Sequence, residues 1–225
     1  MDAKRRAGER AIEFVEDGMA VGLGTGSTAY WAVAHLGERV REGLRVRCVP
    51  TSRRTEEQAR ALGIPLVSLG DVAELDIAID GADEIGPGLA LVKGGGGALL
   101  REKLVASAAR RFVVIADASK KVEVLGRFPL PVEVVPFAWE LTARRVGSVV
   151  GVEPALRRDP DGGPFVTDNG NVILDCRCGA IPDPAHTERG LKSLTGVVES
   201  GLFVNMAHQA VLADEEGVEV IDRKS

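Results

Sequence analysis

The chain has 225 residues, 45% of them hydrophobic, which is enough to build a buried core in one domain or in one domain and a smaller partner. Its 28 basic and 33 acidic residues leave a net charge of -5, which argues against a general affinity for nucleic acid or for an anionic membrane. No apolar run reaches the ~20 residues of a membrane-spanning helix, and the basic start leads into an amphipathic pattern, so we expect a cytoplasmic protein.

The first half of the chain alternates short apolar runs with helical patterns. The runs read as buried strands, and the intervening stretches carry apolar residues at helical spacing. The predicted strands are 19–23, 44–49, 75–79, 89–92 and 112–116, and the clearest helices are 7–15 and 98–109. This order predicts an α/β fold with a Rossmann-like parallel-sheet domain.

The character of the chain changes near residue 127, where Pro129 and Pro131 exclude a helix and a central strand. The elements that follow have the order β-α-β-β-α-β if residues 149–156 hold a strand, which predicts a smaller α+β ferredoxin-like domain. The other predicted elements are strands at 132–135, 165–167, 172–175 and 197–204, and helices at 138–146 and 184–193. Late strands at 208–213 and 218–221 return to the first domain. The predicted division is therefore 1–126 plus 205–225 for the Rossmann-like catalytic domain and 127–204 for the small domain.

A glycine-rich loop at residues 22–28 follows the first predicted strand. Its sequence, Gly-Leu-Gly-Thr-Gly-Ser-Thr, would present backbone N–H groups and hydroxyls at the start of a helix, where a phosphate dianion is favoured. A dinucleotide site would need glycine at Ser27 and a carboxylate at the end of the second strand, and a P-loop would need a following Gly-Lys-Ser or Gly-Lys-Thr. The sequence has neither, so the loop suits a small phosphate ester. A tight turn without a ligand is the alternative.

Three acidic residues, Asp80, Asp83 and Glu84, follow the predicted strand 75–79 at its carboxyl end. Ligands bind at that edge of open α/β sheets. Because like charges in a buried site repel one another, the three acids need a cation, a proton or solvent. Lys93, which ends the next predicted strand, supplies a counter-charge. A magnesium site and a set of solvated loop charges are the alternatives.

Lys93 also opens the run Lys-Gly-Gly-Gly-Gly at 93–97. Four consecutive glycines are costly to order, so they indicate a backbone that approaches a ligand closely or turns sharply, with a flexible linker as the alternative. Glu102 lies early in the helix that follows, beyond small and apolar residues that can partly desolvate it. Desolvation raises the pKa of a carboxylate and makes it a better base. An ordinary charge on a helix surface is the alternative for Glu102.

A fourth motif, Asp-Ala-Ser-Lys at 117–120, follows the predicted strand 112–116 at the same carboxyl edge. Lys120 could therefore reach the same cleft as the other motifs. A solvated loop lysine is the alternative.

These four motifs, in this order, form a specific pattern that three later segments extend. The segments are Gly-Thr-Gly-Ser-Thr at 24–28, Asp-Gly-Ala-Asp-Glu at 80–84, Lys-Gly-Gly-Gly-Gly at 93–97 with Arg-Glu-Lys at 101–103, Asp-Ala-Ser-Lys at 117–120, Phe-Pro-Leu-Pro-Val-Glu-Val at 128–134, Thr-Asp-Asn-Gly-Asn at 167–171 and Gly-Leu-Phe at 201–203. The pattern resembles the ribose-5-phosphate isomerase A family and covers essentially the whole chain.

The resemblance implies an aldose–ketose isomerase in which Glu102 moves a proton between C2 and C1 of open-chain ribose 5-phosphate. Asp80, with Asp83 as a second candidate, suits hydroxyl proton transfer and ring opening, and Lys93 suits stabilisation of the enediolate. The residues expected around the substrate are Lys4, Thr25, Gly26, Ser27, Thr28, Asp80, Gly81, Ala82, Asp83, Lys93, Gly94, Gly95, Gly96 and Lys120. The chemistry requires no metal or cofactor. The implied partners are a phosphosugar and further copies of the chain, as a homodimer or higher homo-oligomer.

Two functions of other classes remain open on the sequence. A phosphosugar sensor could keep the glycine loops and bind without turnover, but it should carry a DNA-binding helix pair or lack the base. A CoA-transferase-like enzyme could use a glutamate beside glycine-rich loops as a nucleophile, but it would need room for a large cofactor.

Overall fold

The computed structural model describes residues 2–223. Within this range the α-helices are α1 (Ala3–Ile12), α2 (Ser27–Arg41), α3 (Arg53–Ala61), α4 (Leu99–Ser107), α5 (Trp139–Val150) and α6 (Pro184–Lys192). The strands are β1 (Ala20–Leu23), β2 (Arg47–Pro50), β3 (Leu75–Gly81), β4 (Glu84–Ile85), β5 (Leu91–Val92), β6 (Ala109–Asp117), β7 (Leu130–Val134), β8 (Ala155–Leu156), β9 (Val172–Cys176), β10 (Val197–Ser200), β11 (Leu202–Phe203), β12 (Gln209–Ala213) and β13 (Val218–Asp222). None of the helices in the described part of the chain combines the length and the hydropathy needed to cross a bilayer.

The chain forms two compact units, and it passes between them four times. The first unit comprises the residues up to Ala82, Arg101–Lys120 and the residues from Met206 onward, and the second comprises Asp83–Leu100 and Lys121–Asn205. This division differs from the predicted one mainly because 83–100 belongs to the second unit. The physical reason is hydrogen bonding: β5 pairs with β4 on one side and with β11 on the other, and these three strands form a sheet separate from the parallel one.

The first unit is built on a sheet with the order β13-β12-β6-β3-β1-β2. All of its neighbouring strands are parallel except β13, which pairs antiparallel with β12 at one edge. The Rossmann-like parallel sheet is thus confirmed, but the predicted strand 89–92 is not part of it. From β1 the chain continues outward to β2 and then returns to β3 on the other side. The carboxyl ends of β1 and β3 therefore form the topological switch point, where open α/β sheets bind ligands.

The second unit contains an antiparallel sheet with the order β10-β7-β9-β8. In chain order its elements run β7-α5-β8-β9-α6-β10, so the ferredoxin-like arrangement is confirmed, and β8 is the strand expected within 149–156. The predicted strand 165–167 is wrong, because this segment makes a single isolated bridge, between Val166 and Val172. Leu130, Val132 and Val134 of β7 point to one face of the sheet and join the apolar core of this unit.

Buried carboxylates of the second unit hold its loops through hydrogen bonds. Glu84 accepts from the backbone N–H groups of Gly126 and Phe128, each at 2.7 Å. Glu133, on β7, accepts from the Thr167 hydroxyl at 2.9 Å and the Asn171 side-chain amide at 2.8 Å. The segments 128–134 and 167–171 are thus joined by one buried acid, as the rule that buried polar groups are hydrogen-bonded requires.

His208 ties the start of β12 to β6 in the first unit. Its N–H donates to the Phe112 carbonyl at 2.9 Å, and its ring Nδ1 lies 3.0 Å from the Phe112 N–H, which makes Nδ1 an acceptor. Burial, together with Arg223 and Arg111, lowers the pKa of His208. The folded chain therefore favours the neutral imidazole.

We predict that His208 makes folding less favourable at acidic pH. Because the pKa of His208 is lowered in the folded state, its full contribution to stability is present above about pH 6.5. That contribution declines as the pH falls from there toward the folded pKa. The substitution His208→Asn places an acceptor oxygen at the position of Nδ1 and removes the titration. Urea unfolding at about pH 7.5 and about pH 5.5 should show a smaller loss of stability for this variant than for the wild type.

The same substitution at His186, which is exposed on α6, removes a histidine without touching the connection between β6 and β12. We expect His186→Asn to retain the pH dependence of the wild type. An equal pH dependence in the wild type and in His208→Asn would contradict the prediction.

Candidate active site

The loop after β1 opens helix α2 at the switch point of the first unit. The helix has 15 residues and begins at Ser27, and no side chain caps it at Gly26. Uncapped N–H groups and the positive end of a helix dipole favour an anion at this position. Thr25, Gly26, Ser27 and Thr28 therefore lie where the sequence placed them, between a buried strand and a helix N-terminus.

Asp80 anchors this loop. The residue is the next to last of β3 and is 3% exposed, and its Oδ1 accepts from the N–H groups of Thr25 at 2.9 Å and Gly81 at 2.7 Å. Gly24 lies so close that a Cβ on it would overlap the Asp80 carboxylate. A glycine at position 24 is thus required by the close approach of the loop backbone to a buried carboxylate.

A cluster of hydroxyls supports Thr25 from the side of β2. Thr25 Oγ1 lies 2.8 Å from Thr51 Oγ1, 2.8 Å from Ser52 Oγ and 3.1 Å from Thr55 Oγ1. Thr51 and Thr55 also donate to the carbonyls of Leu23 and Gly24, each at 2.9 Å. Thr51, Ser52 and Thr55 are not among the site residues predicted from the sequence. The available signal was their position after β2, because parallel neighbours end at the same edge of a sheet.

Glu102 lies in the first turn of α4 and is 4% exposed. Since α4 ends just before β6 begins, the helix runs back from the carboxyl edge of the sheet, and its first turn lies near that edge. It packs over β1, where a Cβ on Gly22 would overlap Val105. The burial of Glu102 excludes the alternative of an ordinary surface charge.

The two lysines of the first unit that are predicted to contact substrate, Lys120 and Lys4, lie on different elements. Lys120 is half-buried and ends the turn Ala118–Lys120, which follows β6 at the carboxyl edge. Lys4 is half-buried in the first turn of α1, and its N–H donates to Asp2 at 3.1 Å. The 24–28 loop, Asp80, Glu102 and Lys120 thus lie at the carboxyl edge of the parallel sheet. Lys4 lies on α1 and is not part of this set.

Lys93 is buried in the second unit and is 2% exposed. It follows β5, and its backbone N–H donates to the Gly201 carbonyl at 2.8 Å. Its ammonium lies 5.4 Å from the centroid of the Phe203 ring, within range of a cation–π interaction. The segment Gly-Leu-Phe at 201–203 therefore belongs to the surroundings of Lys93.

The glycine run after Lys93 forms a turn. Gly94 and Gly97 have φ angles of 102° and 81°, a region that side chains disfavour, and the Gly97 N–H donates to the Gly94 carbonyl at 3.0 Å. The Gly95 N–H donates to Asp83 Oδ2 at 2.8 Å, and Gly95 and Gly96 are exposed. The run is therefore a hydrogen-bonded turn in which Gly95 and Gly96 are exposed, and not a flexible linker.

The acidic residues at 80–84 have distinct partners. Asp80 holds the loop of the first unit, Asp83 holds the glycine run of the second unit, and both oxygens of Glu84 accept backbone N–H groups. Asp80 and Glu84 are each 3% exposed, which excludes solvated loop charges for these two.

Known proteins match this chain over most of its length, including the site residues described above. The sequence model described as ribose 5-phosphate isomerase A (phosphoriboisomerase A) matches residues 47–217. A relative named ribose-5-phosphate isomerase A from Bacillus mycoides is 52% identical over 97% of this chain and 98% of its own length. Another from Gloeobacter violaceus is 56% identical over 97% and 95%. The chain belongs to the ribose-5-phosphate isomerase A family.

Solved structures agree with this membership. Ribose 5-phosphate isomerase A from Methanocaldococcus jannaschii has a TM-score of 0.93 with 41% identity, and the match covers 98% of each chain. A D-ribose-5-phosphate isomerase in complex with phospho-erythronic acid has a TM-score of 0.95 with 38% identity, covering 99% of this chain and 100% of its own. The family and the α/β fold class expected from the sequence are thereby confirmed.

We predict that Gly24→Ala destabilises the first unit. The added methyl group overlaps the Asp80 carboxylate, and crowding of this kind in a packed interior costs about 1–3 kcal/mol. Urea unfolding should report that loss. Gly217→Ala is the matched control, because a Cβ there meets nothing within 4 Å. Equal stability of the two variants would show that the loop does not need glycine at position 24.

Proposed function

We propose that the protein interconverts D-ribose 5-phosphate and D-ribulose 5-phosphate. The observation that carries the proposal is the match over nearly the full length to relatives named for this isomerase, at 52% identity for one and 56% for another. The solved relative that binds phospho-erythronic acid, a phosphorylated four-carbon sugar acid, supports a phosphosugar as the substrate.

Glu102 is the proposed base. It removes the proton from C2 of open-chain ribose 5-phosphate, and the electrons of the C–H bond form the double bond of an enediolate. The C1 oxygen takes up the negative charge and then the proton of the C2 hydroxyl, and the protonated carboxyl returns a proton to C1, which leaves a ketone at C2. Burial supports this role, because a carboxylate in a site with little water is a stronger base than one in bulk solvent.

Lys93 and the N–H groups of Gly94 and Gly96 are proposed to stabilise the negative charge that develops on the enediolate oxygens. Fixed donors of this kind cost little reorganisation when the charge appears. Gly95, whose N–H donates to Asp83, is proposed to line the substrate site. Asp80, together with Asp83, is proposed to move hydroxyl protons and to open the furanose ring. Both acids accept backbone N–H groups, which fixes their carboxylates.

The phosphate is proposed as a remote anchor that places the reacting carbons. The uncapped N-terminus of α2 supports a phosphate at the loop after β1. The residues proposed for substrate binding at this edge are Thr25, Gly26, Ser27, Thr28, Gly81, Ala82 and Lys120, and Lys4 on α1 is a further proposed binding residue. We further propose a cytoplasmic homodimer or higher homo-oligomer, as the family resemblance implies.

We predict that Glu102→Gln abolishes interconversion of the two sugar phosphates and spares most of the affinity for them. The amide keeps the shape of the side chain but cannot take up the proton, and loss of a general base lowers kcat by about 100- to 10,000-fold. Steady-state kinetics and calorimetric titration with ribose 5-phosphate measure the two effects.

Glu57→Gln, on the exposed face of α3, is the matched control and should keep wild-type kinetics. Near-normal turnover of Glu102→Gln would refute the role of Glu102. A wild-type protein that binds the sugar phosphates without converting them would favour the sensor.

We also predict that chelation leaves the activity unchanged and that solvent deuterium enters the product. A carboxylate that has taken a proton from carbon exchanges it with heavy water, so some label should reach C1 of ribulose 5-phosphate. Nuclear magnetic resonance of the product after reaction with excess chelator measures this. Loss of activity on chelation, with the original hydrogen retained, would indicate a metal-dependent hydride shift instead.

A further inference from the structure

Arg157, in the second unit, holds the glycine run by its carbonyl groups. Its Nη1 donates to the Gly94 carbonyl at 2.9 Å and to the Gly95 carbonyl at 3.2 Å, and its side chain is 14% exposed. We propose that Arg157 is a positioning residue for the isomerisation, which fixes the run so that the Gly96 N–H is presented to the substrate. This inference rests on the proposed function.

Asp175 fixes the guanidinium of Arg157. Arg157 Nε donates to Asp175 Oδ2 at 2.9 Å and Nη2 donates to Oδ1 at 2.5 Å, which is a two-point contact. Arg157 directly follows β8, and Asp175 lies on β9, its neighbour in the antiparallel sheet. Because a planar guanidinium held at two points has a set orientation, the remaining nitrogen can aim at the glycine carbonyls.

Because the peptide groups are planar, the direction of each glycine carbonyl also sets the direction of the next residue's N–H. A trans peptide is planar, so the carbonyl of one residue and the N–H of the next point in opposite directions, and no described residue has a cis peptide bond. The Gly94 carbonyl faces Arg157, and the N–H of Gly95 accordingly points away, toward Asp83. By the same geometry the Gly95 carbonyl faces Arg157, which turns the Gly96 N–H away from the arginine.

Phe165 supports the same turn from close range. A Cβ on Gly97 would overlap the Phe165 ring, and the Phe165 N–H donates to the Arg157 carbonyl at 2.9 Å. Arg157 Cζ lies 5.8 Å from the centroid of that ring. Glycine loses more backbone freedom on ordering than any other residue, so a run of glycines keeps one shape only when surrounding groups hold it.

The test is Arg157→Lys, with Arg158→Lys as the matched control. Lysine keeps the charge, but its ammonium cannot hold both Asp175 oxygens and two carbonyls at once. Arg158 instead donates to the Gly162 carbonyl of a surface turn, at 2.7 Å. We expect Arg157→Lys to lower kcat about 10- to 100-fold, the range for misplaced catalytic groups, and to change KM less, since the phosphate anchor is untouched. Arg158→Lys should match the wild type.

Binding of phospho-erythronic acid separates positioning from a loss of folded protein. Its carboxylate carbon is planar, bears a negative charge on oxygen and is bonded to a hydroxyl-bearing carbon, so it resembles the anionic O–C–C–O unit of the enediolate. Arg157→Lys should raise the calorimetric Kd for this compound, whereas a merely smaller folded fraction would lower the number of sites and leave Kd unchanged. Wild-type kcat and Kd in folded Arg157→Lys would overturn the proposal.

Asp175→Asn provides a second route if Arg157→Lys does not fold. The amide keeps the volume and one acceptor but loses the two-point contact, and we expect a smaller loss of kcat in the same direction. Wild-type kcat and Kd in Asp175→Asn would then overturn the proposal. An inactive wild type would instead refute the proposed function, so the two failures are distinguishable.

Discussion

Carboxylates that accept backbone N–H groups are the constraint on which both glycine-rich segments depend. Asp80 binds the N–H groups of Thr25 and Gly81, and Asp83 binds the N–H of Gly95. Asp80 is buried, and a buried carboxylate without such donors would be costly, whereas Asp83 and Gly95 meet at a more exposed position. Each contact therefore satisfies two groups at once and fixes the loop that carries the donor.

The glycines in these loops meet different requirements. Gly24 is needed because the backbone approaches the Asp80 carboxylate too closely for a Cβ. Gly94 and Gly97 are needed because the turn has positive φ angles at both positions. Gly95 is needed because a Cβ there would overlap the Asp83 carboxylate that accepts its N–H, whereas Gly96 is exposed.

Much of the fold was predictable because its signals are local. The runs at 19–23 and 112–116 are wholly apolar, as strands buried on both faces must be, and β1 and β6 form there. The segment 89–92 carries the same apolar signal, yet only Leu91 and Val92 form a strand, and they pair with β11. An apolar pattern indicates burial but does not identify the partner strand, because pairing depends on residues more than 100 positions away.

The sequence by itself determined the family, the α/β class and the positions of the glycine loops, because these depend on residue types at fixed spacing along one strand, turn or helix. It also marked Glu102 and Lys93 as candidates, but their burial was decided by packing. Only the tertiary structure brought Thr51 and Thr55 to Thr25, joined Glu133 to the 167–171 turn and placed Arg157 against the glycine carbonyls. These contacts join residues 26 to 63 positions apart, and hydrogen bonds between such residues form only where the sheets bring their strands and loops within about 3 Å.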